Sequence, residues 1–158
     1  MAQSGYSIIT GGAIALTAAT AKTILGAKAH ANSGLQLKSF EVAFDGVTAS
    51  AVPVLVEVCY NTFGTNPPGT NSTSVTPVQV YGRVLTAGFT AGKTWTAANE
   101  PTTISVIKEF LLAPDKGVIA YQWPLGQEPD TALGEGLSIR VNAPAGVNIR
   151  ATMNVERT

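Results

Sequence analysis

A strict alternation of apolar and polar residues near the C-terminus limits the possible folds more than any other feature. The odd positions from 137 to 141 and from 147 to 155 are apolar, and polar residues stand at the even positions between them. Successive side chains of a β-strand point to opposite faces, so each segment is predicted to be a strand with one buried face. Pro144, Ala145 and Gly146 separate the segments, and we predict that the two strands form a hairpin.

Other segments have a similar composition and are bounded by Gly, Pro and Asn. The parity of the apolar positions changes after Leu37, which indicates a β-bulge near Lys38 and Ser39. No segment combines a sustained helical periodicity with caps at both ends. The sequence therefore predicts an all-β fold, a β-sandwich or jelly roll of about eight antiparallel strands with an extended N-terminal arm. The six further predicted strands cover residues 22–27, 35–44, 54–60, 75–81, 104–112 and 118–123.

The N-terminal segment carries no charge through residue 21. It lacks a basic residue before its apolar positions, and Thr and Gly interrupt them, so neither a secretory signal nor a membrane span is predicted. We assign residues 1–20 to an arm that contacts a neighbouring chain and residues 21–158 to a single β-sandwich domain. The candidate interface residues of the arm are Tyr6, Ile8, Ile9, Ile14 and Leu16.

Two long loops are expected, at residues 62–74 and 124–135, because both are rich in Pro, Gly and polar residues. Loops of this length are often functional. The remaining candidate interface residues lie in these two loops: Phe63, Pro67, Pro68, Pro124, Leu125, Glu128 and Pro129.

The surface is expected to carry few charges. Charged residues make up 13% of the chain, and ten Lys and Arg balance ten Asp and Glu, whereas soluble domains average about 25% charged residues. A neutral chain lacks the basic surface that nucleic-acid binding requires. A neutral, sparsely charged surface also resists self-association poorly. We therefore expect a surface that is covered by other chains.

No constellation of residues indicates catalysis. His30 is the only histidine and is predicted to be a partly exposed loop residue. Cys59 is the only cysteine and is predicted to be a small buried hydrophobe. Ala87–Thr94 fits a loose form of the phosphate-binding loop, but Pro101 follows too soon for the helix which that chemistry needs, so we predict a Gly-rich turn. We predict a protein that is not an enzyme and has no metal, cofactor or small-molecule substrate.

Two sets of residues leave other chemistry open. Phe89 and Trp95 are aromatic residues near turns that could stack on a sugar, although packing is the more common role. Glu128 and Asp130 are the best candidates for a hydrolase site, but the sequence does not pair them with acids across a cleft.

The chain contains four segments of note: Phe44–Gly46 followed by Ala51–Glu57, Thr76–Val78, Trp123–Pro129 and Arg140–Asn148. These segments resemble small β-rich virion proteins of tailed bacteriophages, and the resemblance extends from about Phe40 to the C-terminus. Gln127 stands where a basic residue is more common in that family. None of the segments is a catalytic motif; they resemble the turns and strand ends of a shared sandwich.

Proteins of this family are commonly head decoration, or cement, proteins that bind the assembled shell and hold neighbouring capsomers together. The resemblance implies that the partner is the major capsid protein of the same phage and that the chain is a homo-oligomer, with a trimer favoured. It also implies assembly in the bacterial host cytoplasm and a final location on the capsid surface of the virion. The alternative is a tail or adsorption protein that binds a host glycan through residues 62–74 and 124–135.

Overall fold

The computed structural model describes residues 3–45, 51–102 and 104–158. These residues form twelve β-strands and one short 3-10 helix, Ala97–Asn99. Residues 1–2 of the predicted arm and Gly46 of the resembling segments lie outside the described residues. The strands are β1 (Ser4–Ile9), β2 (Ile14–Leu16), β3 (Thr20–Lys28), β4 (Leu35–Asp45), β5 (Val54–Asn61), β6 (Thr73–Val75), β7 (Val78–Tyr81), β8 (Thr90–Lys93), β9 (Ile104–Leu112), β10 (Val118–Gln122), β11 (Gly136–Ala143) and β12 (Val147–Arg157).

The strands form two antiparallel sheets, so the predicted all-β sandwich is confirmed. Sheet A has the order β10-β4-β12-β1-β7, with β2 also paired to β12, and sheet B has the order β6-β8-β3-β11-β5-β9. Fully buried side chains from both sheets meet between them, among them Ile8 and Phe40 from sheet A and Leu25 and Ile139 from sheet B. Each such side chain stabilises the fold by about 1.5–3 kcal/mol.

The segment predicted as an N-terminal arm is part of the sandwich, and that prediction is wrong. β1 lies between β12 and β7, and β2 pairs with β12. Tyr6 and Ile8 in β1, and Ile14 and Leu16 in β2, are two residues apart in each strand and are buried. Pairing with sheet A removes these apolar side chains from water, whereas an extended arm would leave them exposed.

β11 and β12 do not form the predicted hairpin. β11 pairs with β3 and β5 in sheet B, whereas β12 pairs with β4, β1 and β2 in sheet A. Residues 144–146 therefore carry the chain from one sheet to the other. Ile139 and Met153 are both fully buried, so the apolar faces of both strands point into the space between the sheets.

The bulge in β4 is confirmed, and the predicted strand at 75–81 is divided. Asn154 lies opposite Ser39 and Val155 opposite Leu37, so Lys38 is the extra residue. β6 belongs to sheet B and β7 to sheet A. Pro77 lies between them and lacks the N–H that a continuous ladder would use.

Candidate interaction surfaces

The candidate interface residues of the predicted arm are mostly inaccessible. Tyr6, Ile8, Ile14 and Leu16 lie in the core of their own chain, with at most 6% of each residue exposed. A partner could reach them only if the sandwich opened, so their assignment to an interface is wrong. Ile9 is the exception, because 47% of it is exposed.

The first loop is fastened to the outer face of sheet B by Phe63 and Trp95. Both residues are buried, and their ring centroids are 6.1 Å apart. The indole Nε1 of Trp95 donates a hydrogen bond of 2.9 Å to the carbonyl oxygen of Asn66. A Cβ atom at Gly92 would lie 3.0 Å from the Trp95 ring, and one at Gly136 would lie 2.6 Å from the Phe63 ring, so glycine is needed for this packing. Phe63 is therefore a packing residue, and its assignment to an interface is wrong.

Pro67 and Pro68 in the same loop are half-buried. A Cβ atom at Gly92 would lie 3.1 Å from the Cα atom of Pro68, so this part of the loop also lies close to sheet B. Some of the surface of both prolines remains open to a partner.

In the second loop, the residues at the tip are exposed and those at the base are buried. Pro124 and Leu125 are exposed, and Leu125 has 93% of its surface free. Glu128 and Pro129 are buried. The carbonyl oxygen of Pro129 accepts a hydrogen bond of 2.9 Å from the N–H of Leu37. Glu128 and Pro129 therefore hold the loop on sheet A, and their assignment to an interface is wrong.

Glu128 belongs to a charged cluster with Lys38 and Glu156. The Lys38 Nζ atom lies 2.6 Å from Glu128 Oε1 and 3.3 Å from Glu156 Oε2, and both carboxylate side chains are almost fully buried. The N–H of Gly126 also donates to Glu128 Oε2 at 2.6 Å. The hydrogen bond from Lys38 lowers the pKa of Glu128, and the same hydrogen bond raises the pKa of Lys38.

Three other residues were considered for catalysis: Asp130, His30 and Cys59. Asp130 accepts a hydrogen bond of 3.3 Å from the Thr158 hydroxyl. His30 is exposed, as predicted. Cys59 is buried, also as predicted, and burial raises its pKa to about 12, so the thiol stays protonated at neutral pH.

The aromatic residues considered for sugar stacking are packing residues. Trp95 is fully buried and Phe89 is 8% exposed, with its ring edge-on to Tyr6 at a centroid distance of 5.4 Å. Phe63 is the only aromatic residue in the loops 62–74 and 124–135, and it is buried. Neither loop presents an aromatic ring to solvent.

The segment that loosely fits a phosphate-binding loop is partly a strand. Thr90–Lys93 form β8, which pairs with β3 and β6, so the prediction of a turn is wrong for these residues. The 3-10 helix Ala97–Asn99 that follows has three residues.

An exposed apolar surface lies along the β7 edge of sheet A. The sequence patterns did not predict it. β7 pairs with β1 and with no other strand among the described residues. Val84 is 90% exposed, and the other members are 47–63% exposed. Arg83 is the only charged residue between positions 76 and 92. We call this the β7 surface, and it consists of Val78, Val80, Tyr81, Val84 and Leu85.

Hydrogen bonds connect the segment after β7 to Gln79 in β7 and to Tyr6 in β1. The Gln79 side chain donates from Nε2 to the Arg83 carbonyl at 2.7 Å and accepts at Oε1 from the Leu85 N–H at 3.3 Å. The Tyr6 hydroxyl donates to the Leu85 carbonyl at 3.2 Å. A surface that is already ordered loses little conformational entropy when a partner binds. Exposed apolar side chains along the unpaired edge of a strand are a recognised signature of a binding surface.

The described residues contain no group of three or more His, Cys, Asp or Glu side chains placed to hold a metal ion. They also contain no helix that is long and apolar enough to cross a membrane. Searches against protein-family models, curated proteins and solved structures found no significant match to this chain.

Proposed function

We propose that this chain is a structural virion protein, a capsid decoration protein that binds the outer surface of a tailed-phage head and bridges its capsomers. The observation that carries the proposal is the β7 surface, an apolar surface beside a strand that has one unpaired edge. The four resembling segments supply the phage context, and the major capsid protein is the proposed partner. The resemblance also favours a homotrimer, which sedimentation equilibrium tests.

The chemistry of the β7 surface suits attachment to another protein. Its five side chains are uncharged, so covering them removes mainly apolar area from water. A head offers many equivalent positions, and an oligomer that engages several of them gains affinity through avidity. A modest contact area for each copy is then sufficient.

Co-sedimentation with undecorated, expanded heads of the same phage tests the proposal. We expect the wild-type chain to saturate at a fixed number of copies per head. Val80→Lys places a charge in the β7 surface and should abolish binding. The matched control is Val106→Lys on β9, where the same substitution is made at a residue that is 45% exposed. This variant should bind as the wild type does.

Two results would contradict parts of the proposal. Wild-type-like binding by Val80→Lys would show that another surface contacts the head. Absence of binding by the folded wild-type chain would overturn the decoration function. A tail or adsorption role would then be tested by applying the oligomer to a glycan array.

A further inference from the structure

A cavity of about 320 Å³ lies at the junction of the two sheets, beside the connection between β1 and β2. Residues of that connection form one wall, and residues from β3 and the end of β8 form the other. The residues that matter for its chemistry are Thr10, Gly12, Ala13, Lys22, Lys93 and Thr94.

Strand register places both lysines at this cavity. Lys93 lies opposite Leu25, whose side chain is buried in the core, and Lys22 lies opposite Val141, which is also a core residue. A bulge at Ile24 gives Lys22 this orientation, because it changes the parity of β3. Both aliphatic stems can therefore follow the core-facing side of sheet B while the ammonium groups reach the cavity.

The two ammonium groups have carbonyl partners in the β1–β2 connection and in β2. Lys93 Nζ donates to the carbonyl oxygen of Thr10. Lys22 Nζ donates to the carbonyl oxygen of Ala15 at 3.5 Å. An ammonium group has three N–H donors, so each lysine retains two for a ligand.

No carboxylate compensates these charges. All ten Asp and Glu residues of the chain are among those that the structure describes, and none lines the cavity. The ion pairs among the described residues involve Lys38, Lys116, Arg140 and Arg150, and none involves Lys22 or Lys93. The cavity therefore holds two positive charges without a counter-charge from the protein.

The backbone beside the lysines is held in an uncommon conformation. Thr94 has a φ of 55°, which a β-branched residue rarely adopts. Its N–H donates to the Ile24 carbonyl at 3.1 Å, which fixes this conformation at the cavity wall. Backbone conformations of this kind concentrate at ligand sites.

We propose that this cavity binds a compact, doubly charged oxyanion of the phosphate class. The dianion matches the two ammonium charges, and its several oxygens can accept from the four remaining N–H donors. Lys93 and Thr94 belong to the segment whose sequence resembles a phosphate-binding loop, but the site proposed here uses a strand end and a second lysine from β3 in place of helix amides.

Isothermal titration of inorganic phosphate into the full chain tests the proposal, at pH 8 and constant ionic strength so that phosphate is mainly dianionic. We expect saturable binding by the wild type. Lys22→Met and Lys93→Met keep the aliphatic stem and remove the charge, and each should weaken binding about ten-fold or more. Lys116→Met is the matched control, since Lys116 is exposed and does not line the cavity.

Three results would overturn the proposal: no saturable binding, unchanged binding in both variants, or acetate binding as tightly as phosphate. Circular dichroism verifies that each variant is folded. If a variant is unfolded, the amide resonances of Gly11 and Gly12 in the wild-type chain provide the second measurement. Phosphate should shift them in a saturable manner, and their failure to shift would also overturn the proposal.

Discussion

Two of the four edge strands of the sandwich, β7 and β9, differ in the residues that they present to water. β9, at the edge of sheet B, carries Lys108 and Glu109, whereas β7, at the edge of sheet A, has the uncharged sequence Val-Gln-Val-Tyr. Charged residues on an edge strand oppose pairing with another chain. The β9 edge is therefore protected against association, and the β7 edge lacks that protection.

The side chains behind the two edges differ in the same way. Near β9, the rings of Phe110 and Tyr121 are 5.7 Å apart, and Lys108 Nζ lies 4.5 Å from the Tyr121 ring centroid. The ammonium group of this lysine therefore covers aromatic rings of β9 and β10. Beside β7, Val80 and Val84 face solvent directly. The β9 edge therefore contributes side-chain packing to the sandwich, whereas the β7 edge leaves apolar side chains exposed for the proposed partner.

The largest predicted effect tests the stabilising role of the β9 edge. Phe110→Ala removes a ring that packs against both Phe40 and Tyr121, and it should lower the free energy of unfolding by about 2–3 kcal/mol. Val78→Ala on β7 should change it by less than about 0.5 kcal/mol. Urea unfolding measures both variants, and equal losses would contradict the comparison.

The charged cluster next to the β7 surface should make the free energy of unfolding decrease at acid pH. Lys38 lines the same groove as Val80 and Tyr81, and its hydrogen bond lowers the pKa of Glu128 below the ordinary value of 4.5. A lowered folded-state pKa contributes stability that is present above pH 4.5 and is lost as the pH falls through the folded-state pKa.

Thermal unfolding between pH 7 and pH 2 measures this contribution. Glu128→Gln should lower the Tm at pH 7 and flatten its decline in acid. Lys38→Met removes the same interaction from the other side, so the double variant should be little worse at pH 7 than either single variant. Additive losses would show that the pair does not act as a unit.

A smaller effect is expected at Lys108. Lys108→Met removes a cation–π contact and should lower the free energy of unfolding by about 1 kcal/mol or less. The protein should also self-associate more, because β9 loses a charge that opposes edge pairing. Light scattering measures association, with Lys116→Met as a control for the loss of one positive charge. Equal scattering by the two variants would contradict the protective role of Lys108.

The smallest effect on stability is expected for Val80→Lys. Val80 is 63% exposed, so the free energy of unfolding should stay within about 0.5 kcal/mol of the wild-type value. Urea unfolding of the variant used for head co-sedimentation measures this. A larger loss would mean that Val80 stabilises the sandwich and that its effect on binding is indirect.

Local patterns in the sequence identified most of the long strands. The prediction for Ile104–Leu112 coincides with β9, and the parity change at Lys38 located the bulge in β4. These features depend on the period of two along a single strand, which neighbouring residues determine. The sequence also indicated that Cys59 is buried and that His30 is exposed.

Tertiary structure decided how the strands pair and which of them lie at an edge. The alternation in β11 and β12 is satisfied by a hairpin or by strands in opposite sheets, because either arrangement buries the same faces. Phe63 and Trp95 are packing residues because their rings lie against glycines of sheet B, and that contact is not visible in the local sequence. The β7 surface and the presence of Lys22 and Lys93 at one cavity also depend on tertiary structure. Both result from strand pairing between residues that are distant in sequence. A one-dimensional pattern records which face of a strand is buried, but it does not record the neighbour that buries it.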